Sequence, residues 1–342
     1  MAYSGVVEDF RACCEGRQPS RVPVFALGLE FDMTQSGLRN ADSRTDVEKT
    51  LQGMSDCVAR FDYDLVEVFP DDYIEFEPLG LTMRDDPNHP AMVAEYLPMT
   101  AETLQGFTLP DPTKDMRLPI HLEMIRRAKA TFGDTVCVMG RIAAPFSTLG
   151  LIYGIDTLLV KMLENPDLVH DNMAFFIEHQ LAFGRAQLDA GADVLWLGDC
   201  VADSKFLRPE HFKSFAFDTA AAVARPITGD GGLVIYHTCE TSVPHLTLQT
   251  QLPVSAVNVG EGASIAALRN ELGTDMCLTG NFDPILLRDG TPEQVAESAE
   301  AMMRQNRVGG GYVFNTGEGV MANTPPENVA AMLTAARNAP RD

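Results

Sequence analysis

DVLWLGD (193–199), a helical stretch opening at Pro209-Glu210, and GLVIYHT (232–238) follow one another in that order, and together they decide the fold. Each apolar run is short, nearly continuous and rich in Val, Leu and Ile, as a strand covered on both faces must be. A helix between two such strands implies a parallel pair. The unit recurs in both directions. Upstream lie VPVFALGL (22–29), DLVEVF (64–69) and TVCVMGRI (135–142); downstream lie VSAVNV (254–259), DMCLTGN (275–281) and GYVFNT (311–316). Helical patterns separate them, at 155–163 and 166–190 for example, the second with Pro166 at its first helical position. Others open at Thr291-Pro292-Glu293 and at Thr324-Pro325-Pro326-Glu327.

Eight strands alternating with helices predict an α/β fold, a single (β/α)8 barrel of the TIM type over 1–342. The surplus length falls at 70–118, after the second strand. There LGLTMRDDP and MVAEYLPM read as short extended pieces of a hairpin or lid. An open doubly wound sheet is the competing architecture, but the first strand is not followed by the Gly-rich phosphate loop that fold would carry.

Composition narrows the function. The 342 residues hold 26 Lys+Arg against 48 Asp+Glu, a net charge of −22. That balance argues against nucleic acid, whose binding needs clustered cations, and against anionic membranes. No run approaches the roughly 18 apolar residues of a spanning helix. The N-terminal MAYSGVVEDFRACCEG has early acidic residues and no apolar h-region, so a soluble, cytoplasmic protein is expected. Seven cysteines, at 13, 14, 57, 137, 200, 239 and 277, are odd in number and scattered, which points to thiols or metal ligands rather than disulfides. Most are expected to be plain buried residues.

A barrel enzyme builds its site just past its strands. Those positions hold Glu30, Asp71 with Asp72, Arg141, Asp199 with Cys200, then His237, Cys239 and Glu240 after the fifth strand. Asn258 with Glu261, Asn281 with Asp283, and Asn315 with Glu318 complete the set, a polar and net acidic cup. VIYHTCET is its most informative segment. In extended chain, residues two apart point the same way, so His237 and Cys239 both aim into the mouth. Imidazole and thiolate are preferred zinc ligands, and a catalytic zinc takes three protein ligands plus an open position. A buried Cys beside a hydrogen-bonded His is the plainer reading of the same pair. For a third ligand, Cys277 lies four residues before Asn281, roughly 13 Å back along the strand, and is assigned to the core. Cys200 is within reach without special support. Glu318, in the TGEG loop after the last strand, is preferred.

The stretch GRIAAPFSTLGLIYGIDTLLVKMLENPDLVH (140–170), TGNFDP (279–284) and GYVFNTGEGVMANTPPENVAAM (311–332) resemble the uroporphyrinogen decarboxylase superfamily, and the similarity runs over nearly the whole chain. The resemblance implies a (β/α)8 barrel and one of two activities. The true decarboxylases carry an arginine-rich segment after the first strand and tend to have His in the last-strand loop. Here those places read ALGLEFDMTQSG, acidic and without arginine, and Glu318. The other group, similar to the methylcobamide:coenzyme M methyltransferases, binds zinc through an H-x-C at strand five and a Cys in the last-strand loop. His237 and Cys239 match the pair, while Glu318 stands where the Cys would be. Cobalamin-independent methionine synthases are similar in using a Glu beside His and Cys.

The resemblance therefore implies zinc on His237, Cys239 and Glu318, and a corrinoid of the methylcobalamin type carried on a partner protein. The other substrate would be a small methyl donor or acceptor such as a thiol, methylamine or methoxy compound. The alternative is a metal-free decarboxylase acting on a small carboxylate. Asp199, Asn281 and Glu30 are the expected catalytic or supporting residues. Asp71, Arg141 and Asp283 are the expected contacts to corrinoid or substrate, Arg141 by neutralising an acidic group or by pairing with Asp199. Glu30, Asp71, Asp72 and Glu77 can recognise a cation or simply form a solvated rim.

Overall fold

The computed structural model describes residues 3–68, 70–84, 86–273, 275–306 and 311–340. Phe69, which ends the second expected strand, and Asp85, inside the expected hairpin, lie outside the described residues. The strands are β1 (Leu65–Glu67), β2 (Thr82–Met83), β3 (Val93–Glu95), β4 (Cys137–Ala143), β5 (Val194–Gly198), β6 (Val234–His237), β7 (Ala256–Asn258), β8 (Cys277–Phe282) and β9 (Tyr312–Thr316). Seven of them form one curled parallel sheet in the order β1-β4-β5-β6-β7-β8-β9. β2 and β3 make a separate antiparallel pair within 70–118. The helices Ile155–Glu164, Pro166–Asp189, Pro292–Asn306 and Pro326–Asn338 stand where the sequence places them. Among the described residues no single helix is long and apolar enough to cross a membrane.

The first expected strand, 22–29, is the exception. Its pairing reduces to a bridge between Val24 and Phe314 of β9. Phe25 N–H donates to Phe314 O and Phe314 N–H to Pro23 O, while on the other side Asp64 N–H donates to Val24 O at 3.1 Å. The segment thus touches both edges of the sheet without being a regular ladder. Pro23 has no N–H to give. Val24 gives its own to the Asp64 carboxylate at 2.9 Å, and Leu27 gives its own to the Thr316 hydroxyl. The chain then leaves the sheet at Gly28 for the helix Leu29–Ser36.

Alternation along the strands sorts the core into two layers. Leu65, Cys137, Met139, Val194, Trp196, Ile235, Ala256, Cys277 and Val313 share an inner cluster, floored by Val6, Phe10 and Cys13 of the first helix. Val66, Val138, Leu195, Leu197, Tyr236, Val257, Leu278 and Phe314 face outward to the helices. Cys277 is in the core, as expected. A polar side chain of the helical layer reaches the sheet. Gln187 accepts from Arg141 N–H at 2.9 Å and donates to Arg141 O at 2.8 Å, bracing β4. A Cβ at Gly140 would lie 2.4 Å from that amide oxygen, so a side chain there would push Gln187 off its bonds to Arg141.

Asp64 fastens the opening segment. Its side chain is fully buried and meets Arg21 and Arg337 besides the Val24 N–H. Burial still outweighs both arginines and raises its carboxyl above the ordinary value. A buried pair of this kind adds little net stability, but removing one partner leaves the others uncompensated. Asp64→Ala is expected to cost about 3 kcal/mol or more in urea unfolding. Asp64→Asn, which keeps an acceptor for Val24, should cost clearly less; equal losses would show that the Val24 bond is unimportant.

Candidate metal centre

Two residues beyond the inner apolar layer, the same alternation turns polar. Glu67 follows Leu65, Arg141 follows Met139, His237 follows Ile235, Asn258 follows Ala256, Thr279 and Asn281 follow Cys277, and Asn315 follows Val313. The inner wall therefore changes from hydrocarbon to hydrogen-bonding groups at the carboxyl ends of the strands. His237 rests on Trp196, ring centroids 4.6 Å apart.

Three donor atoms gather around its Nε2. Cys239 Sγ lies 3.2 Å from His237 Nε2 and 3.8 Å from Cys200 Sγ, and Cys200, His237 and Cys239 keep their ligand atoms within 4.8 Å of one another. Glu318 Oε1 is 3.6 Å from His237 Nε2 and in contact with Cys239 Sγ. Ligands on a tetrahedral zinc, with bonds of about 2.0–2.3 Å, stand roughly 3.3–3.8 Å apart. The spacings and the N, S and O chemistry suit that ion.

Each donor is held by the strand or loop beneath it. His237 Nδ1 pairs with Asn258 Oδ1 at 2.8 Å, and Asn258 Nδ2 donates in turn to Thr279 Oγ1 at 3.0 Å. This fixes the imidazole with Nε2 toward the cluster. Cys239 does not continue the strand: its φ is 58°, a left-handed turn that brings Sγ back over His237. Gly260 packs under that turn, where a Cβ would meet Cys239 O at 2.4 Å. Glu240, buried, accepts from Ser204 N–H and Oγ and from Thr241 and Ser242 N–H. It thereby ties the loop bearing Cys200 to the loop bearing Cys239.

The charges follow from this crowding. Burial alone would lower His237, but the Cys200 thiolate and Glu318 outweigh it and push His237 up to about 10. Burial works against charge on Glu318 as well, yet His237 and Cys239 hold it down at about 2. The Cys239 hydrogen bond draws Cys200 below the ordinary thiol range, and Cys239 rises in consequence.

The other expected residues fall in different places. Asp199 is fully buried and accepts from the Ser147 hydroxyl at 2.6 Å and the Tyr236 hydroxyl at 2.7 Å, so it shapes the Cys200 loop from below. Arg141 pairs with Asp72 at 2.7 Å and Glu67 at 3.6 Å rather than with Asp199, whose oxygens Ser147 and Tyr236 engage. Asn281 donates to Gly260 O and Ala263 O and braces the loop after β7. Asp71 is bound by Arg117 at 2.8 Å and Arg44 at 3.8 Å; Arg117 also holds Glu77. Asp283 stands apart, because its exposed carboxylate caps the helix Pro284–Asp289 through Ile285 N–H. Cys200 and Glu67 were undervalued by sequence reasoning. Strand alternation from Leu65 would have pointed to Glu67, whereas Cys200 depends on a loop contact.

Two cavities flank the cluster. One, about 170 Å³, is lined by Cys200, Arg141, Asp72 and Glu75 among others. The second, about 380 Å³, is lined by Glu67, Glu30, Asp32 and Gly319, and shares Pro70, Asp71 and Asp72 with the first.

A curled parallel sheet with a polar, donor-rich mouth is the arrangement of a barrel-type enzyme. The chain belongs to the uroporphyrinogen decarboxylase (URO-D) family, whose sequence pattern matches residues 7–339. It is similar to a methylated-thiol–coenzyme M methyltransferase of Methanosarcina mazei, 26% identical over 78% of this chain and 70% of that one. A methylcobamide:CoM methyltransferase, MtbA, of Methanosarcina acetivorans is 25% identical over 69% and 67%. A solved methyltransferase structure from Methanosarcina mazei superposes with a TM-score of 0.87, at 21% identity, over 98% of both chains, which shows the shared fold. Sequences named uroporphyrinogen decarboxylase match as well.

Glu75 provides a test of the buried mouth. Its Oε1 accepts from Ala143 N–H at 3.3 Å, and burial raises its carboxyl from 4.5 to about 8. The folded protein keeps that proton where the unfolded chain releases it. The stability gained is complete below about pH 4.5 and is lost as pH rises through about 8. Glu75→Gln should therefore gain on the wild type by on the order of 2 kcal/mol between ~pH 5 and ~pH 8 in urea melts. A pH-independent difference would place the Glu75 carboxyl in solvent.

Proposed function

We propose that the protein is a zinc-dependent methyltransferase. It moves a methyl group between a corrinoid, carried on a partner protein, and a small donor or acceptor. The observation that carries this reading is the convergence of Cys200, His237 and Cys239 at zinc-ligand spacing, with the Glu318 carboxylate beside His237 and Cys239. The relatives named for methyl transfer to coenzyme M support it. Against a decarboxylase of polycarboxylates stands the segment after Phe25, where Glu30 and Asp32 face the larger cavity without an arginine.

His237, Cys239 and Glu318 would hold the ion together with Cys200, a stronger candidate than its sequence context suggests. A zinc bound there supplies a Lewis-acidic centre that lowers the pKa of a coordinated thiol or leaving group. The chain's own residues do the rest. Asn258 keeps His237 Nδ1 engaged so that Nε2 stays directed at the centre. Asp199 and Glu240 fix the loops bearing the two thiols. Thiolate and imidazole bind this borderline-soft ion more firmly than an oxygen donor on a half-exposed side chain. Glu318, whose side chain is 39% exposed, would be the most weakly held of the four. Residues 70–118 are read as an insertion bordering the mouth.

Metal analysis of protein purified without chelator tests this directly. Wild type should carry about one zinc per chain, and Cys239→Ala and Cys200→Ala should lose it. Glu318→Gln should retain zinc, and Asn258→Ala should weaken its affinity by about 10–100-fold. The loaded enzyme should demethylate methylcobalamin in the presence of a suitable acceptor. Protein that stays metal-free after reconstitution would sink the mechanism.

A further inference from the structure

The larger cavity has a composition that the metal centre does not require. Its volume of about 380 Å³ is of small-molecule size. Its apolar wall comes from Leu29, Met33, Leu38, Met54, Val320 and Met321. Its polar lining joins five carboxylates to Ser36, Asn40, Ser43 and Thr50, and among the described lining residues there is no Lys, Arg or His. Asp71 is neutralised by Arg117 and Arg44. Glu67 and Asp72 have Arg141 between them, one guanidinium for two carboxylates. Glu30 lies nearby on the same wall.

Glu67 adds an independent sign. Its side chain is only 7% exposed, yet Oε1 has no hydrogen-bond donor among the described residues; Arg141 Nη1 stands 3.6 Å away. A buried carboxylate oxygen in that state is costly unless a cation completes it. Glu67 is among the residues that line the cavity, as is Gly319, the neighbour of Glu318.

We propose that this cavity binds the small substrate of the methyl transfer and that the substrate is a methylated cation, an ammonium or sulfonium compound. Glu67 and Asp72 meet its charge, and the Leu and Met side chains meet its methyl groups. Coenzyme M, a thiol bearing a sulfonate, is excluded from the same space because no cation lines it. The use of the cavity for a substrate rests on the methyltransferase reading; the cation selectivity does not.

Calorimetric titration of the zinc-loaded protein tests the selectivity without turnover. The probes are choline, its uncharged isostere 3,3-dimethylbutan-1-ol, and 2-mercaptoethanesulfonate. Choline should bind roughly tenfold tighter than the isostere, and added salt should narrow the gap. Glu67→Gln should remove most of that preference, and Asp72→Asn should do so independently if the first variant folds poorly. Equal binding of choline and the isostere, tighter binding of the sulfonate, or no binding of any probe overturns the proposal. Selective choline binding by a protein that never transfers methyl from methylcobalamin would refute the methyltransferase reading and leave the cation pocket standing. Methyl transfer to the sulfonate thiol without cation preference would do the reverse.

Discussion

The buried carboxylate of Asp64 is the constraint on which the curled sheet depends. It stands beside β1, accepts the Val24 N–H, and meets Arg21 and Arg337 from opposite ends of the chain. Through its main chain it also accepts from Cys137 of β4. Val24 in turn bridges to β9. One residue therefore connects the two edges of the seven-stranded sheet. Only with those edges drawn together does Glu318, after β9, reach His237 on β6, and only then does Glu67, at the end of β1, belong to the same mouth. The charge costs more to bury than its two arginines repay, so its value lies in closure and not in net stability.

Closure turns a simple alternation into a site. Six of the seven strands of this sheet place apolar residues inward along most of their length and a polar one toward the carboxyl end; β5 ends in Gly198. That change of polarity is written in the sequence, and so seven of eight strands and the parallel order were legible there. The eighth was not. Its ladder is interrupted because Val24 gives its N–H to a side chain 40 residues away, a contact that no local pattern encodes. The same limit separates the site residues. His237 and Cys239 are two apart and announce themselves, although the turn at Cys239 brings them together by a left-handed backbone rather than by the extended geometry assumed. Cys200 joins them through loop contacts, Glu240 with Ser204 and Asp199 with Ser147 and Tyr236. Asp283 was drawn into the expected site because a strand end followed by proline is also the signature of a helix cap.

Electrostatics accounts for how so acidic a mouth folds at all. Arg117 and Arg44 serve Asp71, Arg117 also serves Glu77, and Arg141 serves Asp72 and Glu67, so three arginines compensate four carboxylates. Glu75 and Asp32 are raised toward neutrality by burial, which removes most of the Glu75 charge and part of the Asp32 charge near pH 7. The remaining negative charge sits at the rim and at the donor cluster, where a divalent cation is the natural counterion.

The fold leaves both activities of its family open, because a barrel's chemistry resides in the residues at its strand ends. Binding a polycarboxylate would require cations after the opening segment, and this chain places a helix with Glu30 and Asp32 there. Its arginines at the mouth are already committed to carboxylates of the protein itself. Two thiols, an imidazole and a carboxylate gathered within ligand distance have no use in holding a carboxylate substrate, since like charge would repel it. They are suited to a soft metal, and through it to a group transfer in which a thiol, amine or ether is activated. The acidic wall and the donor cluster thus weigh against one chemistry and for the other for the same electrostatic reason.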